Sequence, residues 1–237
     1  GDDVNEYALS TGFDISTASF TDAFSVAAQD TLPTGLAFNT DGTKMFVVGY
    51  TGQDINEYAL TTGFDVSTAS FTDAFSVAAQ DTQPTSVAFN TDGTKMFVLG
   101  FTGDDVNEYA LSTGFDVSTA SFTDSFSVSA QDTGPTGLAF NTDGTKMFIA
   151  GDIGDSVYKY SLSTGFDVST ASFTDSFNIS AQTTAPRNMA FNADGTKMFV
   201  VGNAGENVNE YATTSASTTV KAGQAISATT INLKDLT

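Results

Sequence analysis

Apolar and polar residues alternate along this chain in short bursts, and the bursts recur at a fixed interval. Leu36-Ala37-Phe38 ends one apolar run, Asn39-Thr40-Asp41-Gly42 is polar, and Met45-Phe46-Val47-Val48 is a second apolar run that closes at Gly49. The stretch Phe38 to Gly49 returns as Phe89 to Gly100, Phe140 to Gly151 and Phe191 to Gly202, each 51 residues on. An Asp-Gly pair between two apolar runs predicts a β-hairpin, because glycine takes positive φ without steric cost. A period of this length predicts a repeat architecture.

Each period predicts four short strands, typified by Gly35–Phe38, Lys44–Val48, Ile55–Leu60 and Phe71–Val77. Turn residues separate them and no helical period is visible, so the class is all-β. Four antiparallel strands in a unit of this size match a β-propeller blade. Apolar residues on both faces of the strands fit a blade covered by two neighbours. The third strand occurs five times: Val4–Leu9, Ile55–Leu60, Val106–Leu111, Val157–Leu162 and Val208–Ala212. The other strands occur four times. The expected fold is a β-propeller of four-stranded blades with a 51-residue repeat, four blades closed with the N-terminal strands, plus a short C-terminal β tail. The alternative is part of a longer array. The expected division is residues 1–212 for the repeats and 213–237 for a polar linker and a strand segment, Ala225 to Leu233.

Composition supports a large core. Twenty of the 21 Phe occupy five fixed positions per repeat, and Phe101 alone lies outside them. The net charge of −20 argues against nucleic acid and anionic membranes as partners. It fits an extracellular setting. No apolar run approaches the roughly 20 residues that span a bilayer. The first residue, Gly1, falls within a repeat, which suits a processed or incomplete product.

Candidate chemistry is sparse. The chain has no His and no Cys, which removes the commonest general base and the best nucleophile. The Asp-Gly turns lack the spacing of a calcium loop, so plain hairpin turns are expected. Asp2-Asp3, Asp54 and Asp104-Asp105 read as solvated loops. No cofactor or metal is expected. Glu6, Glu57, Glu108 and Glu210 recur within the third strand, but Lys159 takes that place in the fourth copy. A catalytic ring would not reverse charge in one copy, so blade-edge or salt-bridging roles are expected.

The unit from Pro33 to Gly49, followed by Ile55-Asn56-Glu57-Tyr58-Ala59-Leu60 and Phe64-Asp65-Val66-Ser67-Thr68-Ala69-Ser70, resembles the DGTKM-type β-propeller repeats of marine bacteriophage tails and appendages and of some bacterial surface proteins. The resemblance covers residues 1–212. It implies a propeller fold and a virion structural or adhesion protein, in the virion or, as the alternative, at a cell surface.

The copies differ mostly in two places. Residues 4–48 and 55–99 differ at only seven of 45 positions, so the loops that do vary are informative. One is the loop before the inner strand, with Leu32, Gly35, Gln83, Ser86, Arg187 and Asn188. The other follows the second strand, with Tyr50, Gln53, Phe101, Asp104, Asp152 and Asn203. In an up-and-down blade these two loops share one face of the disc, and the near-invariant Asp-Gly and Ser-Thr-Gly-Phe-Asp connections share the other. Variation on one face fits a recognition surface. The functional expectation is therefore non-enzymatic. It is a structural or adhesion component that binds a host glycan or protein through these twelve residues, with copies of itself or other virion or surface proteins as partners. A purely structural decoration or filament subunit is the alternative. A propeller lactonase or glycosidase ranks below both.

Overall fold

The computed structural model describes residues 1–204 and 206–213. The N-terminal strands β1 (Asp3–Leu9) and β2 (Ala18–Ser25) pair as a two-stranded sheet. The first full blade is β3 (Pro33–Phe38), β4 (Lys44–Gly49), β5 (Asp54–Leu60) and β6 (Ala69–Ser76). The second is β7 (Pro84–Phe89), β8 (Lys95–Gly100), β9 (Asp105–Leu111) and β10 (Ala120–Ser127). The third is β11 (Pro135–Phe140), β12 (Lys146–Gly151), β13 (Ser156–Leu162) and β14 (Ala171–Asn178). The fourth contributes β15 (Pro186–Phe191), β16 (Lys197–Gly202) and β17 (Asn207–Ala212). Each blade is an antiparallel meander whose neighbours in sequence are neighbours in the sheet. The propeller class and the four-stranded blade are as the repeat predicts. The expected strand from Ala225 to Leu233 lies outside the described residues.

Local chemistry explains the elements. At the hairpin, Gly42 takes φ +71°, and the Asp41 carboxylate accepts from the Thr43 N–H at 3.0 Å. The Thr43 hydroxyl, a second donor to that carboxylate, is the main reason it is held below the ordinary range. An added Cβ on Gly42 would run into the Phe64 ring, so space and backbone both demand glycine. The sequence reading missed a short 3₁₀ turn, Val66–Thr68, capped by the Asp65 side chain. It also missed a bulge between Glu57 and Tyr58, where the Thr72 hydroxyl satisfies the Glu57 carbonyl at 3.1 Å.

The core lies between blades. Phe46, Val48 and Ile55 of the first blade pack with Met96, Val98, Tyr109 and Leu111 of the second. The two middle strands of each full blade are thus buried on both faces, which is why they do not alternate apolar and polar, while the outer strands β6, β10 and β14 are largely exposed. Polar ties repeat at the first two junctions. Lys44 Nζ donates to the Phe115 carbonyl at 2.6 Å and to Glu57 Oε1 at 2.7 Å, while Glu57 Oε2 accepts from the Val117 N–H at 3.1 Å. Lys95, Glu108, Phe166 and Val168 repeat the pattern. The recurring Glu is therefore a blade-joining residue. Glu57→Gln keeps the shape and loses the charge, and a urea titration is expected to show about 1–2 kcal/mol less stability.

The N-terminal strands close the ring in the same manner. Lys197 Nζ of the fourth blade donates to the Phe13 carbonyl at 2.6 Å, and the Phe13 ring stacks on Phe199 at 6.4 Å. On the other side Glu6 Oε2 accepts from the Val66 N–H at 3.0 Å. The β1–β2 pair thus stands between the fourth and first blades as the outer half of a further blade, rather than adding β2 to the edge of β17.

Candidate active face

The loops that vary do meet on one face, and a buried carboxylate organises each pair of them. Asp81 is almost fully buried. Its Oδ1 accepts from the Gln83 N–H at 2.6 Å and its Oδ2 from the Gly103 N–H at 2.7 Å. One side chain thereby ties the loop before the inner strand to the loop after the second strand. Asp30 does the same with Leu32 and Gly52, and Asp132 with Gly134 and Gly154. Gly100, which ends β8, lies so close that an added Cβ would overlap the Asp81 carboxyl. Thr183 holds this place in the fourth blade and accepts only from the Ala185 N–H, at 3.3 Å, among the described residues. These acids were missed in the sequence, although an Asp recurring 19 residues before an invariant Gly was a visible signal.

Four carboxylates, Asp81, Asp104, Asp105 and Asp132, act on one another where the second and third blades meet. Asp104 takes φ +49° on its loop, and its Oδ1 is covered from solvent without a hydrogen-bond partner. Burial raises its pKa, and the charges of Asp132 and Asp81 raise it further. The adjacent Asp105 is also raised, first by burial. Its bond from Asn107 Nδ2, at 2.7 Å, pulls the other way. In the third blade the corresponding pair is Ser156 and Tyr158, and the Tyr158 hydroxyl donates to Asp132 Oδ2 at 3.1 Å. Asp104 is the one carboxylate here that combines a covered, unpartnered oxygen with an upward shift, which suits a group that takes and returns a proton. No group of three or more Asp or Glu is arranged to hold a metal ion among the described residues.

A second constellation forms one junction on. Arg187 lies 3.5 Å from Asp152. With its amide turned so that the oxygen faces the guanidinium, Asn203 accepts from Nε at 2.9 Å and Nη2 at 3.1 Å. Thr34, Thr85 and Thr136 precede Arg187 at this repeat position, and each hydroxyl bonds a Pro carbonyl of the next inner strand, Thr34 to Pro84 at 2.9 Å. The fourth blade has no further inner strand beside it among the described residues, and there the position carries Arg.

The other expected residues divide. Gln83 Nε2 donates to the Tyr50 hydroxyl at 2.9 Å across a blade junction. Leu32 and Tyr50 are exposed, and Gln53 occupies the same left-handed position as Asp104. Phe101 is half-buried and donates its N–H to the Gln83 carbonyl at 3.0 Å. Gly35, Ser86 and Asn188 stand apart on the inner strands. Ser86 is buried and accepts from the Leu138 N–H at 3.3 Å, and Asn188 bonds the Met189 N–H at 2.8 Å. Ser86 and Asn188 line a channel of about 270 Å³ with Leu36, Val87 and Met189.

Comparison with known proteins bears on what such a face does. A Bacteroides fragilis structure proposed to be a 6-phosphogluconolactonase aligns with 90% of this chain and 61% of its own, at 14% identity and a TM-score of 0.56. A Bacteroides uniformis structure proposed to have the same activity aligns over 88% and 60%, at 12% identity and a TM-score of 0.54. A Lactobacillus plantarum protein aligns over 83% and 57%, at 15% identity and a TM-score of 0.56. At these identities the likeness is one of fold. The chain spans about 60% of the length of these structures. No curated protein matches it. Residues 5–236 match the family model described as lactonase, 7-bladed beta-propeller. That match corrects the expectation of a non-enzymatic phage virion, tail-fibre or adhesion component. The missing His and Cys had argued against catalysis, but carboxylates suffice for proton transfer at an ester. The decorative or filament alternative falls with it. By a match of this extent, the chain belongs to the lactonase family of seven-bladed β-propellers.

Proposed function

We propose that the chain hydrolyses a lactone on its variable-loop face, with Asp104 as the general base. Family membership over residues 5–236 is the observation that carries this reading. In the step proposed, the Asp104 carboxylate removes a proton from water as its oxygen bonds to the lactone carbonyl carbon. The ring C–O bond then breaks, and the leaving alkoxide takes the proton to give a hydroxy acid. Asp81, Asp105 and Asp132 surround this position, and Arg187 is already engaged by Asp152. A phosphorylated lactone would meet an acidic face, so an uncharged lactone is the substrate class favoured. The acidic surface and the likeness to repeats of bacterial surface proteins support a place at the cell surface. Self-association and capture of a sugar-bearing partner by the same loops belong to that reading.

The test is turnover by the purified chain on uncharged five- and six-membered lactones and on one 6-phosphorylated counterpart. Hydrolysis of the uncharged compounds in preference to the phosphorylated one is expected. No turnover above the rate in buffer overturns the reading, and preference for the phosphorylated compound overturns the substrate class.

A further inference from the structure

The junction of the second and third blades sets an apolar pair beside its acids. Phe101 and Asp104 belong to one turn, residues 101–104. Across the junction, Gly134 donates its N–H to Asp132 Oδ1 at 2.8 Å, and its carbonyl accepts from the Asp152 N–H at 2.8 Å. Asp104 and Asp132 act on each other here, so Phe101 and Gly134 flank the same place. Ile153 lies over Gly134, because a Cβ built on that glycine would stand 2.9 Å from Ile153 Cγ1. At 69% exposure Ile153 is the most exposed large apolar side chain among the described residues.

The other junctions show how unlike the repeat this place is. Between the first and second blades Tyr50 and Gln83 hold the positions of Phe101 and Gly134, and their side chains bridge that junction with a bond of 2.9 Å. Phe101 has no hydroxyl to bond and Gly134 no side chain to reach it, so the second junction lacks this bridge. Thr51 and Thr102 stand where Ile153 does, and their hydroxyls pair with Thr31 at 3.2 Å and Thr82 at 3.3 Å. Ile153 gives up that pair and presents an apolar side chain to water, which costs free energy in the unliganded chain. The two changes are linked, since any side chain at position 134 would press on Ile153. Between the third and fourth blades the same places carry Asp152, Ala185 and Ala204, and Arg187 is engaged there by Asp152 and Asn203. Three departures from the repeat, Phe101, Gly134 and Ile153, therefore converge on the junction that carries Asp104.

We infer that this junction seats the alkyl chain of a lactone between Phe101 and Ile153, with the ring carbonyl at Asp104. The inference rests on the lactonase reading and narrows its substrate class to uncharged lactones that carry an aliphatic chain. Such a chain gains by covering Phe101 and Ile153 from water, in proportion to the apolar area removed. It also brings no second anion to Asp81, Asp105 and Asp132. A sugar lactone offers hydroxyls in place of the chain, and the side chains of Phe101 and Ile153 have nothing to bond them with.

The test is calorimetric titration of the purified chain with cyclopentanone and with pentyl-substituted cyclopentanone, ring ketones that hydrolysis does not open. The pentyl compound is expected to bind at least about tenfold more tightly, since one methylene in an apolar site is worth about tenfold or more. In turnover, kcat/KM for γ-nonalactone should exceed that for γ-butyrolactone by about tenfold or more for the same reason. Phe101→Asn and Ile153→Thr install residues that the repeat itself carries at these positions, as at Asn203 and Thr51. Each change should reduce both preferences, and the double variant should abolish them. Equal binding of the two ketones by the parent chain, or a preference that the double variant keeps, overturns the inference. Tighter binding of the pentyl compound without turnover of any lactone supports the apolar seat and refutes the lactonase reading alone, so the two failures are separate results.

Discussion

Asp104→Asn is expected to abolish lactone hydrolysis and, at neutral pH, to raise the melting temperature. The loss of rate follows from removing the base, and general-base catalysis contributes about 10²–10⁴-fold. The gain in stability follows from two observations. Burial, with the charges of Asp132 and Asp81, lifts the Asp104 carboxyl above its unfolded value. A carboxyl raised in the folded state stabilises the fold below its unfolded pKa, and that contribution is lost as pH rises through the folded value. At pH 7 the charge is therefore a liability, and the neutral amide removes it. Asn also tolerates the left-handed φ of +49° that this loop imposes. The stability gain should vanish in thermal scans at pH 3, where Asp104 is protonated in both states. Asp73→Asn, on an exposed strand far from these loops, should retain activity. Full activity in Asp104→Asn would remove this residue from the mechanism, and a lower melting temperature at pH 7 would refute the charge account. This trade of stability for activity is common where enzymes hold like charges together.

Much of the fold was legible because the repeat made it so. A hairpin read once at Asp41-Gly42 was read four times, and Phe46, Phe97, Phe148 and Phe199 announced a core by position alone. The place of the N-terminal strands was harder to see. The Phe13 carbonyl reaches Lys197 across 184 residues, and no local pattern encodes a bond of that span. The face was legible for a similar reason, since alternate loops of a meander must share a side. Its chemistry was not. Asp104 reads as one of many loop acids, and only the approach of Asp81 and Asp132 in three dimensions sets it apart. Ser86 and Asn188 were taken for surface residues because the sequence does not show how steeply an inner strand enters the ring.

Asp81→Ala is expected to lose both the fold's margin and the activity, for one reason. The Asp81 carboxylate is buried and satisfies the N–H groups of Gln83 and Gly103, which belong to different loops. Truncation leaves both donors without an acceptor in a closed space, at a cost of about 1–3 kcal/mol each. Removing the charge also relieves Asp104 and Asp105, whose pKa values Asp81 helps to raise. That relief crosses a partly solvated loop and is worth about 1 kcal/mol at most. The hydrogen bonds therefore decide the sign, and the net loss is expected near 2–4 kcal/mol in a urea titration. Activity should fall with it, since Gly103 immediately precedes Asp104 and its N–H is held by Asp81. Asp81→Asn separates the two effects. Its amide oxygen can accept from one loop, but its NH₂ group faces an N–H on the other, so an intermediate stability loss is expected while the Asp104 loop is released. The fourth blade already shows the weakened form, with Thr183 in place of the acid. If Asp81→Ala unfolds at the same urea concentration as the parent, the carboxylate does not clamp these loops and the Asp104 geometry must be held by something else.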